Sequence, residues 1–353
     1  MSGGRLVVDG IVRLGLAGSP GSFSQTGGVN LADEIYVGGT AEGTYELGGG
    51  SVNALVRIGP YAYGQLGTLT QTGGMLGGSI MITKGVYSME GGSTDISALD
   101  IGNDPNSCGR LELLATGHRF TVRGPFKLGR GAALAASPGA TLSMTGGSCQ
   151  WANASTSPSE LESLSCLGAV FQGQGGTAAK FEVAGKDLGA SPAGYGTNFA
   201  LGSLQLGGAA GAGAVRLVDE SDNQPDWTGA EALYLGTLVL NEGAALECGG
   251  LNLYYANGGA VKQFFCGDCN LDGQVGFSEL LVLAANWNRS GLCWASGDFT
   301  GDGVLNFSDL SILAANWGRS TPAPSPVPVP EPGALALLAL GLPGVARARR
   351  KMT

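Results

Sequence analysis

The sequence predicts a mainly β protein: a right-handed parallel β-solenoid (β-helix) followed by a small α-helical module built on two acidic loops. Three observations carry that expectation. Glycine supplies 64 of 353 residues, against ~7% in an average chain. Short apolar alternations recur between repeated Gly-Gly pairs, and one loop-and-helix segment occurs twice near the C-terminus. With 43% hydrophobic residues and no Gly-X-Y period, the chain is neither disordered nor collagen-like. The net charge of -9 argues against a nucleic-acid partner, because phosphate binding requires clustered Lys and Arg.

The repeats align by eye. GSFSQTGGV from Gly21, GTYELGGGS from Gly43, GTLTQTGGM from Gly67 and GVYSMEGGS from Gly85 carry a Gly-Gly pair at one offset, and ATLSMTGGS from Ala140 is a looser copy. Between them lie apolar-x-apolar segments: Ile35 and Val37, Val56 and Ile58, Ile80 and Ile82, Leu99 and Ile101, Phe126 and Leu128. Each unit of roughly 20 to 25 residues thus offers short period-2 strands and two turns. A single unit buries too little to offset its chain entropy, whereas stacked units share an inner column, with glycine wherever a corner needs positive φ. A two-sheet sandwich also holds many short strands but does not ask for a repeated Gly-Gly register. The pattern loosens at WANASTSPSELESLSC, read as an insertion or cap. It returns in FALGSLQLGG and in EALYLGTLVLNEGAALECGGLNLYY. Over roughly two thirds of the chain these units resemble the glycine-rich, autotransporter-like repeats of secreted bacterial surface proteins.

The duplicated segment has the spacing of a twelve-residue calcium loop. Counting from Asp268, side-chain oxygens fall at positions 1, 3, 5 and 12, from Asp268, Asn270, Asp272 and Glu279. Gly273 stands at the sharp turn, Gln274 offers its backbone carbonyl, and Gly276 leaves one ligand position to water. The second copy supplies Asp298, Thr300, Asp302, Gly303, Val304 through its carbonyl, Asn306 and Asp309. Two Ca2+ ions are expected. SELLVLAANW and SDLSILAANW follow the loops, with Leu280, Leu283, Ala284 and Trp287, and Leu310, Leu313, Ala314 and Trp317, at the spacing of one helix face.

This loop-helix pair resembles a type I dockerin, a calcium-dependent module that docks secreted glycan-degrading enzymes onto cohesin domains. The resemblance implies partner recognition at loop positions 10 and 11, here Phe277 with Ser278 and Phe307 with Ser308. Phenylalanine departs from the small polar residues of the best-known cohesin binders. Cys266 and Cys269 form a CxxC, yet Asp268 between them is already the first calcium ligand, which speaks against redox or zinc chemistry. Cys266, Cys269 and Cys293 lie in or beside this small module, where a disulfide is expected in an oxidising compartment, and sequence leaves the pairing of seven cysteines open.

TPAPSPVPVP is a proline-rich spacer. It leads to VPEPGALALLALGLPGVARARRK, a Pro-Glu-Pro, a short apolar run and a basic tail, which resembles a PEP-CTERM sorting signal recognised by an exosortase-type membrane enzyme. The apolar run is short for a permanent membrane helix, and its basic end is expected to stay cytoplasmic while the bulk of the chain lies outside. MSGGRLVVDG lacks a charged n-region and an apolar h-region, so the N-terminus reads as truncated.

The expected organisation is a repeat domain over residues 1–262, a calcium module over 263–320, a linker over 321–328 and a sorting signal over 329–353. The expected function is that of a secreted, surface-sorted structural or adhesive protein, with extracellular polysaccharide and a cohesin-like or other surface protein as candidate partners. A polysaccharide-active enzyme, lyase or glycoside hydrolase, or a glycan-binding accessory protein is the alternative. Its candidate residues are Asp95, Asp100, Asp104, Arg110, His118, Arg119, Arg123, Lys127 and Arg130, which otherwise read as a solvated charged face.

Overall fold

Alternating apolar residues make short strands here, and the glycines between them turn the chain so that each strand meets its counterpart in the next repeat. The computed structural model describes residues 1–60, 64–102, 107–114, 116–152, 163–173, 177–196, 198–292 and 294–321. The chain is mainly β and dominated by one large, largely parallel sheet.

The long strands β1 (Arg5–Leu14), β2 (Gly21–Val37) and β3 (Gly43–Ile58) lie side by side in parallel. From β3 the sheet divides. Its first half continues into β4 (Gly67–Gln71), then β6 (Lys84–Met89), β8 (Cys108–Leu113) and β11 (Ala133–Ala136). Its second half continues into β5 (Met75–Ile82) and β7 (Ser93–Ile101). After β7 two ladders run on separately. One passes through β9 (Arg119–Val122), β12 (Thr141–Met144), β14 (Gly168–Phe171), β17 (Ala200–Leu206) and β19 (Glu231–Leu240). The other passes through β10 (Phe126–Leu128), β13 (Cys149–Trp151), β15 (Ala179–Glu182), β18 (Ala214–Val218) and β20 (Ala245–Glu247). Among the strands of the described residues, β16 (Gly185–Lys186) pairs antiparallel with β19 and β22 (Lys262–Gln263) with β21 (Asn252–Tyr255), where β21 itself runs parallel to β19.

The register reproduces the sequence alignment for the four closer copies, whereas the looser copy at Ala140 falls in β12 on the other ladder, between β9 and β14. Gly21, Gly43, Gly67, Gly85 and Gly109 pair in succession. Ile35, Val56, Ile80, Leu99 and Phe126 form one inner row, and Val37, Ile58, Ile82, Ile101, Leu128 and Trp151 form the row beside it. All of these apolar side chains are buried. Polar groups also enter the core, in pairs that span neighbouring repeats. The Tyr45 hydroxyl donates to Gln25 Oε1 at 2.7 Å and accepts from Asn30 Nδ2 at 3.0 Å, and Tyr87 repeats the contact on Gln71. Each glutamine in turn donates to a backbone carbonyl of a neighbouring turn, Ser51 and Ser93 respectively, so both glutamine amides are satisfied, while the buried Asn30 Oδ1 has no partner.

WANASTSPSELESLSC falls mostly on residues 153–162, outside the described residues. Asp104 and residues 322–353, with most of the expected linker and all of the sorting signal, also lie outside them. Residues Met1–Thr321 make one compact unit, so the ladders and the loop-helix segment share a continuous core.

The corner glycines generate a measurable expectation. Gly50 has φ +77°, and a methyl group there would stand 2.2 Å from the Gly28 carbonyl oxygen. A methyl group at Gly48, two residues earlier, would meet nothing nearer than 3.6 Å. Gly50→Ala is expected to cost about 2 to 4 kcal/mol in chemical denaturation, and Gly48→Ala to stay within about 0.5 kcal/mol of the parent. Equal effects of the two substitutions would contradict the corner argument.

Candidate functional site

The first acidic loop begins where the chain leaves β22. Asp268 is fully buried and its carboxylate gathers the loop's own backbone: Oδ2 accepts from Gly273 N at 2.8 Å and Oδ1 from Asp272 N at 3.1 Å. Asn270 Oδ1 also accepts from Asp272 N, and Asp272 Oδ1 accepts from Gln274 N. Gly273 makes the sharp turn at φ +83°. Glu279, the third residue of the helix Phe277–Ala285, uses Oε2 to accept from Gly276 N at 2.7 Å.

Carboxylate oxygens of Asp268, Asp272 and Glu279 all lie within 4.8 Å of one another. Glu279 is 1% exposed, yet its Oε1 has no hydrogen-bond partner. A buried oxygen left open beside two further carboxylates is a site that fits a cation. Burial pushes the Asp268 carboxyl up to about 6, against the backbone donors that favour its charge, with Asp272 and Glu279 adding repulsion.

The second loop is arranged differently. Asp298 and Asp309 are buried, but Asp309 Oδ1 accepts from Phe299 N and Thr300 N, and Oδ2 from Asn306 N. Asp298 Oδ1 accepts from Gly301 N and Oδ2 from Gly303 N, with the Thr300 hydroxyl 3.2 Å from Oδ1. Asp302 is turned to Val304 N, and the Val304 carbonyl accepts from Asn306 Nδ2. No metal-ligating trio comparable to that of the first loop converges here among the described residues.

The two halves interlock. Val275 of the first loop exchanges hydrogen bonds with Arg319 and Gly318, which follow the second helix, Phe307–Asn316. Leu305 of the second loop does the same with Asn288 and Arg289, which follow the first. Aromatic pairs obey the same exchange: Phe277 with Trp317 at 5.8 Å and Trp287 with Phe307 at 5.2 Å. Leu283 and Leu313 are buried as the helical spacing predicts, whereas Ala284, Ala314 and Trp317 are exposed. Leu280, Trp287 and Leu310 are half-buried against the core, so each helix turns only part of its expected apolar face fully inward, and exposed Ala314 and Trp317 line a groove with Leu280, Leu310 and Leu313. Phe277 and Phe307 are 73% and 74% exposed, and Ser278 and Ser308 are exposed beside them.

The CxxC does not present a thiolate pair. Cys269 is buried, and burial with the neighbouring Glu279 and Asp268 charges pushes its thiol up to about 12. On the alternative charged face Asp95 pairs with Arg123 at 2.9 Å and Arg110 with Glu112 at 2.7 Å. His118 is exposed, with Nδ1 3.3 Å from the Thr116 carbonyl oxygen. Asp100 and Lys127 are neighbours in register on adjacent strands.

Sequence reasoning missed two buried acids. Glu182 Oε1 accepts from Glu220 N and Ser221 N, and Glu231 Oε1 accepts from Asn223 N. Their second oxygens are buried without partners. The only signal in the sequence is the polar run DESDNQ after β18, whose docking on two distant strands no local pattern announces.

Compared with family models, with curated proteins and with solved structures, the chain finds no match.

Burial raises Glu182 and Glu231 from 4.5 to about 7, mainly by desolvation. The native state therefore holds protons that the unfolded chain releases above pH 4.5. Their contribution to stability is fully present below that pH and is lost as pH rises through about 7. Relative to a Glu182→Gln, Glu231→Gln variant, the parent is expected to lose stability between pH 5 and pH 8 by a few kcal/mol. A difference in unfolding midpoint that stays constant over that range would refute the assignment.

Proposed function

We propose that this chain is a surface-sorted structural or adhesive protein, with stacked parallel ladders that constitute a right-handed β-solenoid and a calcium-binding, dockerin-like module at the end of the stack. The observation that carries the reading is the meeting of Asp268, Asp272 and Glu279 around a buried, unpartnered Glu279 Oε1. Bound calcium supplies the positive charge that lets three acids share one loop. Asp268 holds the turn through its backbone acceptors, Asn270 braces Asp272, and Glu279 joins the loop to the first helix. Asp298, Thr300, Asp302 and Asp309 form the second, weaker site, because Asp309 gives up existing backbone hydrogen bonds to reach an ion. Exposed Phe277 and Phe307, each beside a serine, are the surface offered to a cohesin-like or other surface partner.

The structural reading is supported by ion pairs that join neighbouring strands of the repeats, half-buried Glu34 with Arg57 and exposed Asp95 with Arg123. Export and exosortase processing rest on the sequence of residues 329–353.

Calcium is expected to raise the unfolding free energy of the full chain by about 3 kcal/mol at a free concentration a hundredfold above Kd. Asp268→Ala abolishes most of that gain, and Asp298→Ala removes less. Unfolding curves that coincide in calcium and in chelator would overturn the assignment. For sorting, the mature surface protein from an exosortase-bearing cell is expected to lack the residues after about Pro332, and mass spectrometry finding Met352 and Thr353 on it would count against processing.

A further inference from the structure

The last turn of the ladders and the entry to the first acidic loop meet at two cysteines. Cys248 follows β20, in a turn closed by Leu251 N donating to the Cys248 carbonyl at 2.8 Å. Cys266 follows β22 and lies two residues ahead of Asp268. The hairpin of β21 and β22, with Tyr254 opposite Gln263, Tyr255 opposite Lys262 and Phe264 N donating to the Leu253 carbonyl at 2.8 Å, folds the chain back so that Cys266 returns toward the turn that holds Cys248. Each side chain acts on the other, Cys266 pushing the Cys248 thiol up and Cys248 drawing the Cys266 thiol down. Both side chains are half-buried and pack against the main core, and Cys266 lines the same cavity as Glu247, the residue before Cys248.

We propose that Cys248 and Cys266 form a disulfide that staples the final turn of the parallel ladders to the loop-helix segment. Cys149 is a poor alternative, since it is buried in a ladder between Phe126 and Phe181. Both side chains sit at one junction of the same core, with Glu247 beside Cys248 lining a cavity with Cys266, so closing the bond asks for local adjustment rather than a rearrangement of strands. A small-molecule disulfide is the oxidant. The two protein thiols give up two protons and two electrons, one S–S bond forms in the protein, and the oxidant's S–S bond breaks to leave two thiols. The bridge closes a loop through β21 and β22 and restricts the unfolded chain accordingly. It also fixes the strand that sets the first loop, where Asp268 N donates to the Phe265 carbonyl at 3.1 Å.

The test uses the full chain, incubated with glutathione disulfide, alkylated and digested with trypsin without reduction. Cleavage at Arg216, Lys262 and Arg289 leaves Cys248 as the one cysteine of peptide 217–262, and places Cys266 and Cys269 together in peptide 263–289. The expected product is a cross-link between these two peptides, retained in Cys269→Ser and lost in Cys266→Ser and Cys248→Ser. Oxidation is expected to raise Tm by about 5 °C in the parent and to leave Cys248→Ser unchanged. Circular dichroism verifies that each serine variant keeps the parent's β-rich spectrum. Recovery of Cys248 fully alkylated after oxidation, or a cross-link that survives in Cys266→Ser, would overturn the proposal. Neither result depends on calcium, since the digest is run in calcium and in chelator alike.

Discussion

Backbone hydrogen bonding between successive repeats is the interaction on which this molecule depends. Each strand lends its N–H and C=O groups to the strand one repeat further on, so every corner has to follow the corner beneath it. That demand leaves no room for a Cβ at Gly50 or Gly74, which sit at positive φ against the carbonyl groups of Gly28 and Gly50. The apolar rows follow from the same constraint. Once the corners are in register, Val37, Ile58, Ile82 and Ile101 stack in one row inside the sheet. The Tyr45–Gln25 and Tyr87–Gln71 pairs then tie neighbouring turns by contacts that a slipped register would leave unmade.

A parallel stack has an end, and an open end exposes unpaired backbone. Here β22 pairs antiparallel with β21, and the loop-helix segment lies over the final rungs. Phe264, Trp294 and Phe299 pack together in the core shared with the ladders, while Gly301 lies against the Ala244 carbonyl group. The acidic loop is wired to this junction: the Tyr255 hydroxyl approaches Asp268 Oδ2 at 3.4 Å and Trp294 Nε1 donates to the Asp268 carbonyl at 2.9 Å. Order in the loop and closure of the stack are therefore coupled. The exchange of Val275 and Leu305 between halves adds that neither loop completes its backbone pairing alone.

The charge distribution divides the molecule. Along the ladders some acids and bases meet in exposed pairs such as Asp95 with Arg123, where solvent limits their contribution. Near the end of the stack carboxylates go inside instead. Glu182 and Glu231 hold the DESDNQ loop through backbone N–H donors, and Asp268 and Glu279 hold the first acidic loop in the same manner. Buried acids of this kind persist because the backbone, rather than a basic side chain, supplies the compensating donors.

Local pattern by itself determined the mainly β character, the repeat register, the two inner rows and the two loop-helix units, because each is written at short range in period-2 or helical spacing and in glycine position. The acidic residues of the first loop were legible for the same reason: their spacing is fixed within twelve residues of one another. The contacts between segments were decided only by tertiary structure. Nothing in the local pattern around Asp309 shows that Phe299 and Thr300 N–H groups occupy its oxygen, or that Ala284 and Ala314 stay outside, because both depend on how one half of the module meets the other. Cys248 and Cys266 became neighbours through the β21–β22 hairpin, and Glu182 and Glu231 became partners of one loop through strands far apart in sequence. Such meetings are set by how the chain closes on itself in three dimensions, and no short-range periodicity encodes them.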